Sequence, residues 1–299
     1  MRILITGGTG LIGRQLCKAL LAEGHHLTVL SRRPESVAAK CGAIVRAMHT
    51  LDEWQPELVF DAVINLAGEP IVDKAWTQKR KQVLRDSRIA LTEKLVRCIS
   101  AAKRKPAVML SGSAVGYYGD RGDTELDENV QAGSDFAATV CRDWEAAAKA
   151  VEEYGVRVCL LRTGLVLSNS GGLLGKMLLP FKLGLGARLG NGEQWMSWVH
   201  IDDYVAMVLH LLDDEQTRGP FNMTAPQPVT NAEFTRTLAR ELHRPAIFAA
   251  PATFLRLAMG ERAALMLEGQ RVLPAKLLTA GYRFKFSDLS QALNDLLNR

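Results

Sequence analysis

Residues 6–14 read TGGTGLIGR, and this short stretch decides the fold. A short apolar run precedes it and an amphipathic run, Leu11 to Glu23, follows it, so the motif lies where a strand turns into a helix. Gly7 allows the tight turn, Gly10 lets the backbone approach a pyrophosphate, and Gly13 lets the helix pack on the strand. The free N–H groups of the first helical turn then hold the phosphates. A glycine triplet can also serve packing alone, but the flanking strand and helix favour nucleotide binding.

Short β-rich runs alternate with helical patterns through the first two thirds of the chain, which predicts a parallel sheet covered by helices on both faces. The predicted strands are Ile3 to Thr6, Leu27 to Leu30, Ala62 to Leu66, Ala107 to Ser111 and Arg157 to Leu161, and the longer predicted helices are Leu11 to Glu23, about Thr77 to Ala102 and about Asp135 to Tyr154. After Gly171, glycine and proline interrupt the pattern, and mostly helical segments follow from Asp202.

We therefore predict an α/β protein with a Rossmann-type doubly wound parallel sheet and a smaller, mostly helical C-terminal lobe. Residues 1–168 form the nucleotide-binding domain in this prediction, and later segments can return to its sheet. Residues 169–299 form the lobe on the substrate side, with a C-terminal helical domain at about 247–296.

The end of the second predicted strand selects between nucleotides. A carboxylate there accepts hydrogen bonds from the adenosine ribose of NAD, but this chain reads LTVLSRRP over residues 27–34. Arg32 can form a bidentate pair with a 2′-phosphate, and the hydroxyl of Ser31 can donate a further hydrogen bond. The alternative is that Arg32 and Arg33 only solvate a loop. We expect the cofactor to be NADP(H).

Composition and charge exclude several other classes of protein. A chain of 299 residues that is 47% hydrophobic can bury a full core, and its longest weakly charged stretch is too short to span a bilayer. Basic clusters at residues 79–81 and 103–105 contribute to the net charge of +5. A solvated helix face explains them better than a nucleic-acid patch, because no aromatic platform or nucleic-acid-binding motif accompanies them.

The cysteine and histidine patterns bear on compartment and metal binding. Five scattered cysteines without C-x-x-C spacing fit reduced thiols, and no secretory leader is visible before the first predicted strand. None of the six histidines has metal-ligand spacing, so we expect no metal. We expect a cytoplasmic monomer or homodimer that binds an unknown small-molecule substrate, and neither nucleic acid nor a membrane.

Several motifs carry a family resemblance. TGGTGLIG, the NLAG of Asn65 to Gly68, and LSGSAVGYYGD resemble the extended branch of the short-chain dehydrogenase/reductase superfamily, which includes nucleotide-sugar epimerases and dehydratases. LRTGLVL, LGNGEQWMSWVHIDD and NMTAP continue the resemblance into the second lobe. The C-terminal APATFLRLAMGERAALMLEGQRVLPAKLLTAGYRF resembles a short domain of the YfcH-like epimerase family proteins, which are atypical members whose reaction is not established.

The resemblance implies roles for residues that share a position in the fold. Those implied to line the pyrophosphate are Gly7, Thr9, Gly10, Leu11, Ile12 and Gly13; those at the adenosine phosphate and ribose are Ser31, Arg32, Leu66 and Ala67; and those at the nicotinamide are Leu165 and Val166. Arg88 is placed to reach a phosphate or ribose. The alternative for Arg88 is a helix-surface ion pair with Asp86 or Glu93.

The catalytic residues of this superfamily are only partly present. The usual set is a serine followed by Tyr-x-x-x-Lys on the next helix, where the lysine lowers the pKa of the tyrosine. Ser113 matches the serine, but the tyrosine and lysine positions fall on Ala137 and Cys141. Tyr117 or Tyr118 could supply a proton, although an unassisted phenol with a pKa of ~10 is a poor catalyst near neutrality. Both tyrosines can equally be wall-forming aromatics.

Other candidates are weaker. Cys141 has no adjacent histidine or lysine, which favours a buried inert thiol over a nucleophile. His200 resembles a structural family position, and Asp202 resembles a helix cap. Predicted pocket walls, which can equally be core, are Tyr117, Tyr118, Met177, Leu178, Pro180, Phe181, Trp195 and Trp198. Two functions remain: an NADP-dependent oxidoreductase of unknown substrate with an unorthodox proton source, and a non-catalytic NADP(H)-binding redox sensor or scaffold.

Overall fold

The structure is a computed structural model that describes residues 1–299. Its strands are β1 (Arg2–Thr6), β2 (His26–Leu30), β3 (Arg46–Met48), β4 (Ala62–Asn65), β5 (Val108–Ala114), β6 (Glu125–Leu126), β7 (Arg157–Thr163), β8 (Leu165–Ser168), β9 (Ala187–Leu189), β10 (Trp195–Met196), β11 (Trp198–His200), β12 (Gly219–Met223), β13 (Val229–Thr230), β14 (Phe248–Ala250) and β15 (Arg271–Val272).

The α-helices are α1 (Leu11–Ala22), α2 (Val37–Cys41), α3 (Gln78–Asp86), α4 (Ile89–Ala101), α5 (Phe136–Lys149), α6 (Gly172–Lys182), α7 (Ile201–Asp213), α8 (Asn231–Glu241), α9 (Ala252–Met259), α10 (Ala264–Leu267), α11 (Ala275–Thr279) and α12 (Leu289–Leu297). A short 3₁₀ helix, Val115–Tyr118, follows β5 directly. None of the helices combines the length and the apolar character that crossing a membrane requires.

Seven parallel strands form the central sheet in the order β12-β7-β5-β4-β1-β2-β3. The predicted doubly wound α/β fold is confirmed. The chain runs outward from β1 in one direction and then resumes at β4 on the other side of β1, so the strand order reverses between β1 and β4. In open sheets of this kind ligands bind at the carboxyl ends of the strands beside such a reversal. The glycine-rich turn after β1 lies at that point.

The core lies on both faces of this sheet, which is why the central strands read as continuous apolar runs. Ile3 and Ile5 are fully buried in the larger core cluster, which also contains Leu16 of α1. Leu4 points to the opposite face, where a smaller cluster includes Leu95 and Ile99 of α4. Helices therefore cover both faces and leave the carboxyl edge of the sheet for the site.

Two strands of the sheet were not predicted. β3 is an edge strand of only three residues, and its short length gives little signal above that of a loop. β12 begins with Gly219 and Pro220, which indicate a turn in sequence. Proline is tolerated there because β12 is the other edge of the sheet and pairs only with β7. A segment after residue 168 thus returns to the central sheet, while the predicted domain boundary itself stays a prediction.

The single helix predicted from about Thr77 to Ala102 is wrong, because the chain forms two helices that break at Ser87 and Arg88. The hydroxyl of Ser87 donates to the carbonyl of Leu84 at 3.0 Å and accepts the N–H of Glu69 at 3.1 Å. Arg88 then starts α4 as its N-cap residue with φ −112° and ψ −64°. The break directs the Arg88 side chain toward the loop that follows β4.

Four small two-stranded sheets lie outside the central sheet. β8 pairs in parallel with β11, β9 with β14, and β6 with β15, while β10 pairs antiparallel with β13. The β6–β15 pair joins the C-terminal segment to the loop that follows β5. Both lobes thereby contribute residues near the carboxyl edge of the central sheet.

Candidate cofactor site and active site

The three glycine positions of the turn after β1 differ in whether packing requires a residue without a side chain. Gly7 has φ +72°, and a Cβ there would lie 2.7 Å from the backbone carbon of Leu66. A Cβ at Gly13 would lie 2.3 Å from the carbonyl oxygen of Gly7. A Cβ at Gly10 would meet only that same oxygen, at 3.2 Å. Packing therefore demands glycine at positions 7 and 13, whereas position 10 faces nearly open space and is left free for a ligand to approach.

The start of α1 is arranged for an anion. Gly10 is the N-cap residue, and no side chain caps the helix. Its own N–H donates to Gly7, and the first helical bond runs from the N–H of Arg14 to the carbonyl of Gly10. The N–H groups of Leu11, Ile12 and Gly13 consequently have no carbonyl partner one turn back. Free N–H groups and the positive end of a helix dipole are features that favour phosphate, and phosphate binding at this helix start stays a prediction.

The second lobe closes over this turn. A Cβ at Gly172, the first residue of α6, would lie 3.0 Å from a methyl group of Leu11. Thr9, Leu11 and Ile12 are half-buried, and Gly10 is exposed. The predicted pyrophosphate residues thus share one turn at the mouth between the lobes, and their contact with a cofactor stays a prediction.

The loop after β2 carries Arg32, whose side chain is 90% exposed and forms an ion pair with Glu69 at 2.9 Å. Glu69 follows β4 and also accepts from Arg80 at 3.2 Å. Hydrogen bonds from Arg32 and Arg80 hold the pKa of the Glu69 carboxyl below its usual value. The hydroxyl of Ser31 accepts the N–H of Arg33 at 3.1 Å, so its proton remains free to donate. Arg32 is thus accessible to a 2′-phosphate, in competition with Glu69.

Sequence reasoning missed Glu69 because it looked for a carboxylate only at the end of β2. The chain delivers this carboxylate from the loop after β4, a strand that lies on the other side of β1 from β2. Leu66 and Ala67, also just past β4, are fixed to the end of β1: the N–H of Leu66 donates to the carbonyl of Thr6 and the N–H of Ala67 donates to its hydroxyl, both at 3.1 Å. The loop predicted to pass over the adenosine ribose therefore has a defined path.

Arg88 forms no ion pair with Asp86 or Glu93, so that alternative is wrong. Its guanidinium donates to the main-chain carbonyl of Glu69 at 3.0 Å and to that of Leu84 at 3.2 Å. The carboxylate of Asp86 instead accepts from Gln82. Arg88 thus lies beneath the loop after β4 rather than on the surface.

Ser113 lies at the end of β5, where the superfamily places its catalytic serine, but its hydroxyl already has an acceptor. It donates to Glu145 of α5 at 2.7 Å, and only 4% of the residue is exposed. Glu145 in turn forms a bidentate, buried ion pair with Arg162, at 2.8 and 3.0 Å. A buried pair of this kind is stable only when its remaining polar atoms are satisfied. Ser113 supplies one of the required hydrogen bonds.

Tyr118 extends the same buried network. It is fully buried, donates to Asn222 at 2.7 Å and accepts from Arg162 at 2.9 Å. Burial raises its pKa to about 12, although Arg162 acts in the opposite direction. Tyr117 is half-buried, and its ring lies 3.6 Å from the guanidinium carbon of Arg162. These placements favour structural roles, and catalysis by Ser113, Tyr117 or Tyr118 remains a prediction.

Positions 137 and 141 of α5 are occupied by Ala137 and Cys141, so the helix presents neither a phenol nor an ammonium group. Burial and, to a smaller extent, the nearby carboxylate of Glu145 raise the pKa of the Cys141 thiol to about 12. A neutral thiol is a poor nucleophile. The inert interpretation of Cys141 is the one that the structure favours.

Several predicted pocket walls are core residues. Trp198 and Tyr118 are fully buried, and Phe181 is 3% exposed.

Leu165 and Val166, the residues predicted to lie at the nicotinamide, form the start of β8, are half-buried and pair with β11. An open cavity of about 350 Å³ lies elsewhere, between the end of the 3₁₀ helix after β5 and Glu268 of the C-terminal segment. Only Tyr118 among the predicted walls borders it.

His200 is a structural residue whose ring nitrogens are both engaged. Its Nδ1 accepts the N–H of Asp202 at 3.0 Å, so the proton lies on Nε2, which donates to Asp295 at 3.2 Å. His200 is therefore the N-cap residue of α7, and the prediction that Asp202 caps this helix is wrong. Asp202 lies in the first turn of α7 and pairs with Arg299.

Comparison with known proteins identifies the class. Residues 3–223 match the model of the NAD dependent epimerase/dehydratase family, and residues 250–296 match a domain of unknown function, DUF1731. The chain belongs to the NAD dependent epimerase/dehydratase family. The resemblance to short-chain dehydrogenase/reductase proteins with an additional C-terminal domain is thereby confirmed.

Individual relatives cover the whole chain. The epimerase family protein SSP1921 of Staphylococcus saprophyticus is 42% identical in an alignment 299 residues long that covers 99% of each chain. The epimerase family protein YfhF of Bacillus subtilis is 38% identical over 99% of this chain and 98% of its own. A crystal structure of human epimerase family protein SDR39U1 (isoform 2) with NADPH is 35% identical, with a TM-score of 0.90 and complete coverage of both chains.

Proposed function

We propose that this protein binds NADP(H) across the carboxyl edge of the central sheet. The observation that carries the proposal is the uncapped start of α1 beside Gly10, where a Cβ would meet only one atom at 3.2 Å. The exposed guanidinium of Arg32 supports the 2′-phosphorylated cofactor. The similar human protein that was crystallised with NADPH supports the same choice.

We further propose that the protein is an oxidoreductase that reduces a carbonyl compound. In this reaction a bound NADPH would supply a hydride from C4 to the carbonyl carbon and the oxygen would take a proton, so that the products would be an alcohol and NADP⁺. The cofactor carries the hydride step, and the protein supplies orientation and charge. Ala137 and Cys141 replace the usual tyrosine and lysine, and Ser113 and Tyr118 are bonded within the buried network, so we propose water as the proton donor.

A deuterium-transfer screen tests this reaction. NADPH deuterated at C4 is incubated with a panel of aldehydes, ketones and nucleotide sugars, and the products are analysed by mass spectrometry. We expect deuterium in one class of alcohol product, and no transfer with the Gly10→Val variant, which should not bind the cofactor. Transfer that persists in a Gly10→Val protein shown by titration not to bind NADPH would assign the activity to a contaminant. Rapid epimerisation of a nucleotide sugar at neutral pH would contradict the proposal that the site has no proton-transfer pair.

A non-catalytic NADP(H) sensor is the second candidate, and one observation favours it. Ser113 and Tyr118, which match or follow the catalytic serine, are committed to the buried Glu145–Arg162 pair. A sensor distinguishes the two redox forms by affinity. Titration of NADPH and NADP⁺ separately would support this function if the two dissociation constants differ by about tenfold or more while no substrate of the screen acquires deuterium. Equal affinities would exclude it.

A further inference from the structure

The start of α5 joins the open cavity to the position of the missing tyrosine. Ala137, which occupies that position, is the second residue of the helix, and Phe136 precedes it directly. Asp135 is the N-cap residue of the helix and borders the cavity of about 350 Å³. A substrate whose reacting group lies at position 137 therefore meets both Phe136 and the cavity.

An aromatic wall lies at this helix start. The ring of Trp76, from the loop after β4, meets the ring of Phe136 edge to face with 5.0 Å between the ring centroids. The indole N–H of Trp76 donates to the carbonyl of Ile71 at 2.9 Å, which holds the ring against its own loop. Both aromatic residues are half-buried, so part of each ring remains open to a ligand. Such a wall favours another ring, through area and through ring–ring geometry.

The cations fixed around this wall already have partners. The pairs are Lys81 with Glu261 at 2.8 Å, Lys176 with Asp73 at 2.9 Å and Arg80 with Glu69 at 3.2 Å, and Arg262 donates to the carbonyl of Val72 at 2.7 Å. Lys74 is the one cation of the loop after β4 without such a partner, and it is exposed. A diphosphate is bound best by several positive groups at once. To bind one here, the protein would have to break the ion pairs that hold this loop to the second lobe.

The cavity beside the wall carries negative charge. Asp120, Asp135 and Glu268 border it, and Arg121 is the one cation that does so. The guanidinium of Arg121 already donates to the carbonyl of Tyr118 at 3.1 Å. Burial, and then the charges of Asp120 and Asp135, raise the pKa of the Glu268 carboxyl. An anion that entered the cavity would meet the same repulsion.

We infer that the substrate of this site is an uncharged aromatic carbonyl compound and not a nucleotide sugar. Its ring packs against Trp76 and Phe136, and its carbonyl group lies toward Ala137. Small-molecule sites have volumes of about 300–1,000 Å³, and a cavity of about 350 Å³ suits a compound with a single ring. This inference rests on the proposed reduction of a carbonyl compound by NADPH and adds the class of substrate.

Ligand-observed NMR titration of the protein saturated with NADP⁺ tests the inference. One probe is benzyl alcohol, the product that reduction of benzaldehyde would give. The second is 4-carboxybenzyl alcohol, which adds a carboxylate to the same ring, and the third is UDP-glucose. The variants are Phe136→Leu and Glu268→Gln, with Phe248→Leu as the matched control because Phe248 is an exposed phenylalanine on β14.

We expect benzyl alcohol to bind the wild type and UDP-glucose not to displace it. Phe136→Leu should weaken benzyl alcohol about 2- to 10-fold, through the loss of one ring–ring contact, and Phe248→Leu should match the wild type. The carboxylated probe should bind more weakly than benzyl alcohol, and Glu268→Gln should recover up to about fivefold of its affinity. Retained NADP⁺ binding shows that each variant is folded.

Displacement of benzyl alcohol by UDP-glucose, or equal affinities of Phe136→Leu and Phe248→Leu for benzyl alcohol, would overturn the inference. A wild type that binds NADP⁺ but not benzyl alcohol would overturn the substrate class alone. A wild type that binds no NADP⁺ would overturn the proposed cofactor and the inference with it. Binding of benzyl alcohol without deuterium transfer to benzaldehyde would overturn the proposed reduction and support the aromatic site.

Discussion

Replacing Arg32 with alanine tests the choice of NADP(H) over NAD(H). The Arg32 side chain is 90% exposed, and the side chain of its partner Glu69 is 21% exposed. An ion pair that exposed is worth no more than about 0.2–1 kcal/mol. A charge-assisted hydrogen bond to a phosphate is worth about 1.5–3 kcal/mol. Exchanging Glu69 for the 2′-phosphate should therefore favour NADPH by a net ~1–2 kcal/mol, or about 5- to 30-fold in affinity.

Arg32→Ala should remove this preference for NADPH over NADH by lowering the NADPH affinity, and it should leave the NADH affinity nearly unchanged. Glu69→Gln should act in the opposite direction, because the phosphate no longer has to displace a carboxylate, and should tighten NADPH by up to about fivefold. Arg33→Ala is the matched control, since the same charge is lost one residue away and the Arg33 side chain is exposed. Calorimetric titration of both cofactors into all four proteins provides the data.

Either of two results would refute this account of cofactor specificity. If the wild type binds NADPH and NADH equally well, Arg32 does not contact the 2′-phosphate. Equal losses in Arg32→Ala and Arg33→Ala would mean that only the net charge of the loop matters, and the Arg32–Glu69 geometry would then be irrelevant to cofactor choice.

Two further predictions follow from the turn after β1 and from the buried network. Gly10→Val should abolish NADPH binding and keep a near-normal melting temperature, whereas Gly13→Ala should lower the melting temperature sharply because its Cβ would lie 2.3 Å from the carbonyl oxygen of Gly7. Thermal unfolding and NADPH titration of both variants check this prediction. A Gly10→Val protein that still binds NADPH would place the phosphates elsewhere. Tyr118 has a pKa raised to about 12 by burial, so between about pH 10 and pH 12 the folded protein retains a proton that the unfolded chain loses. The free energy of unfolding should fall as the pH rises through this range, and it should fall less steeply for Tyr118→Phe in urea titrations; identical slopes would show that the Tyr118 phenol is not protected.

The sequence predicted the features of the site that depend on local backbone chemistry. The glycines of the turn, the parallel strands around it and the exposed Arg32 all follow from spacing and from apolar runs. Contacts between elements distant in sequence were not accessible in this way. Glu69 reaches Arg32 from a different strand, and Ser113 reaches Glu145 across 32 residues.

The helix break at Arg88 shows why local propensity was insufficient. Helix-forming residues occupy both sides of it, so the sequence reads as one helix. The break arises because Ser87 bonds the N–H of Glu69 in the loop after β4. That bond is tertiary, and side-chain hydrogen bonds of this kind compete with helix continuation.

A crystal structure of this protein with NADPH would be the most direct test of the central claim, which is that NADP(H) binds at the start of α1. We predict that pyrophosphate oxygens accept hydrogen bonds from the backbone N–H groups of Leu11 and Ile12, above Gly10, and that the 2′-phosphate contacts the guanidinium of Arg32 in place of Glu69. A pyrophosphate bound away from the start of α1, or no bound cofactor at saturating NADPH, would contradict the claim.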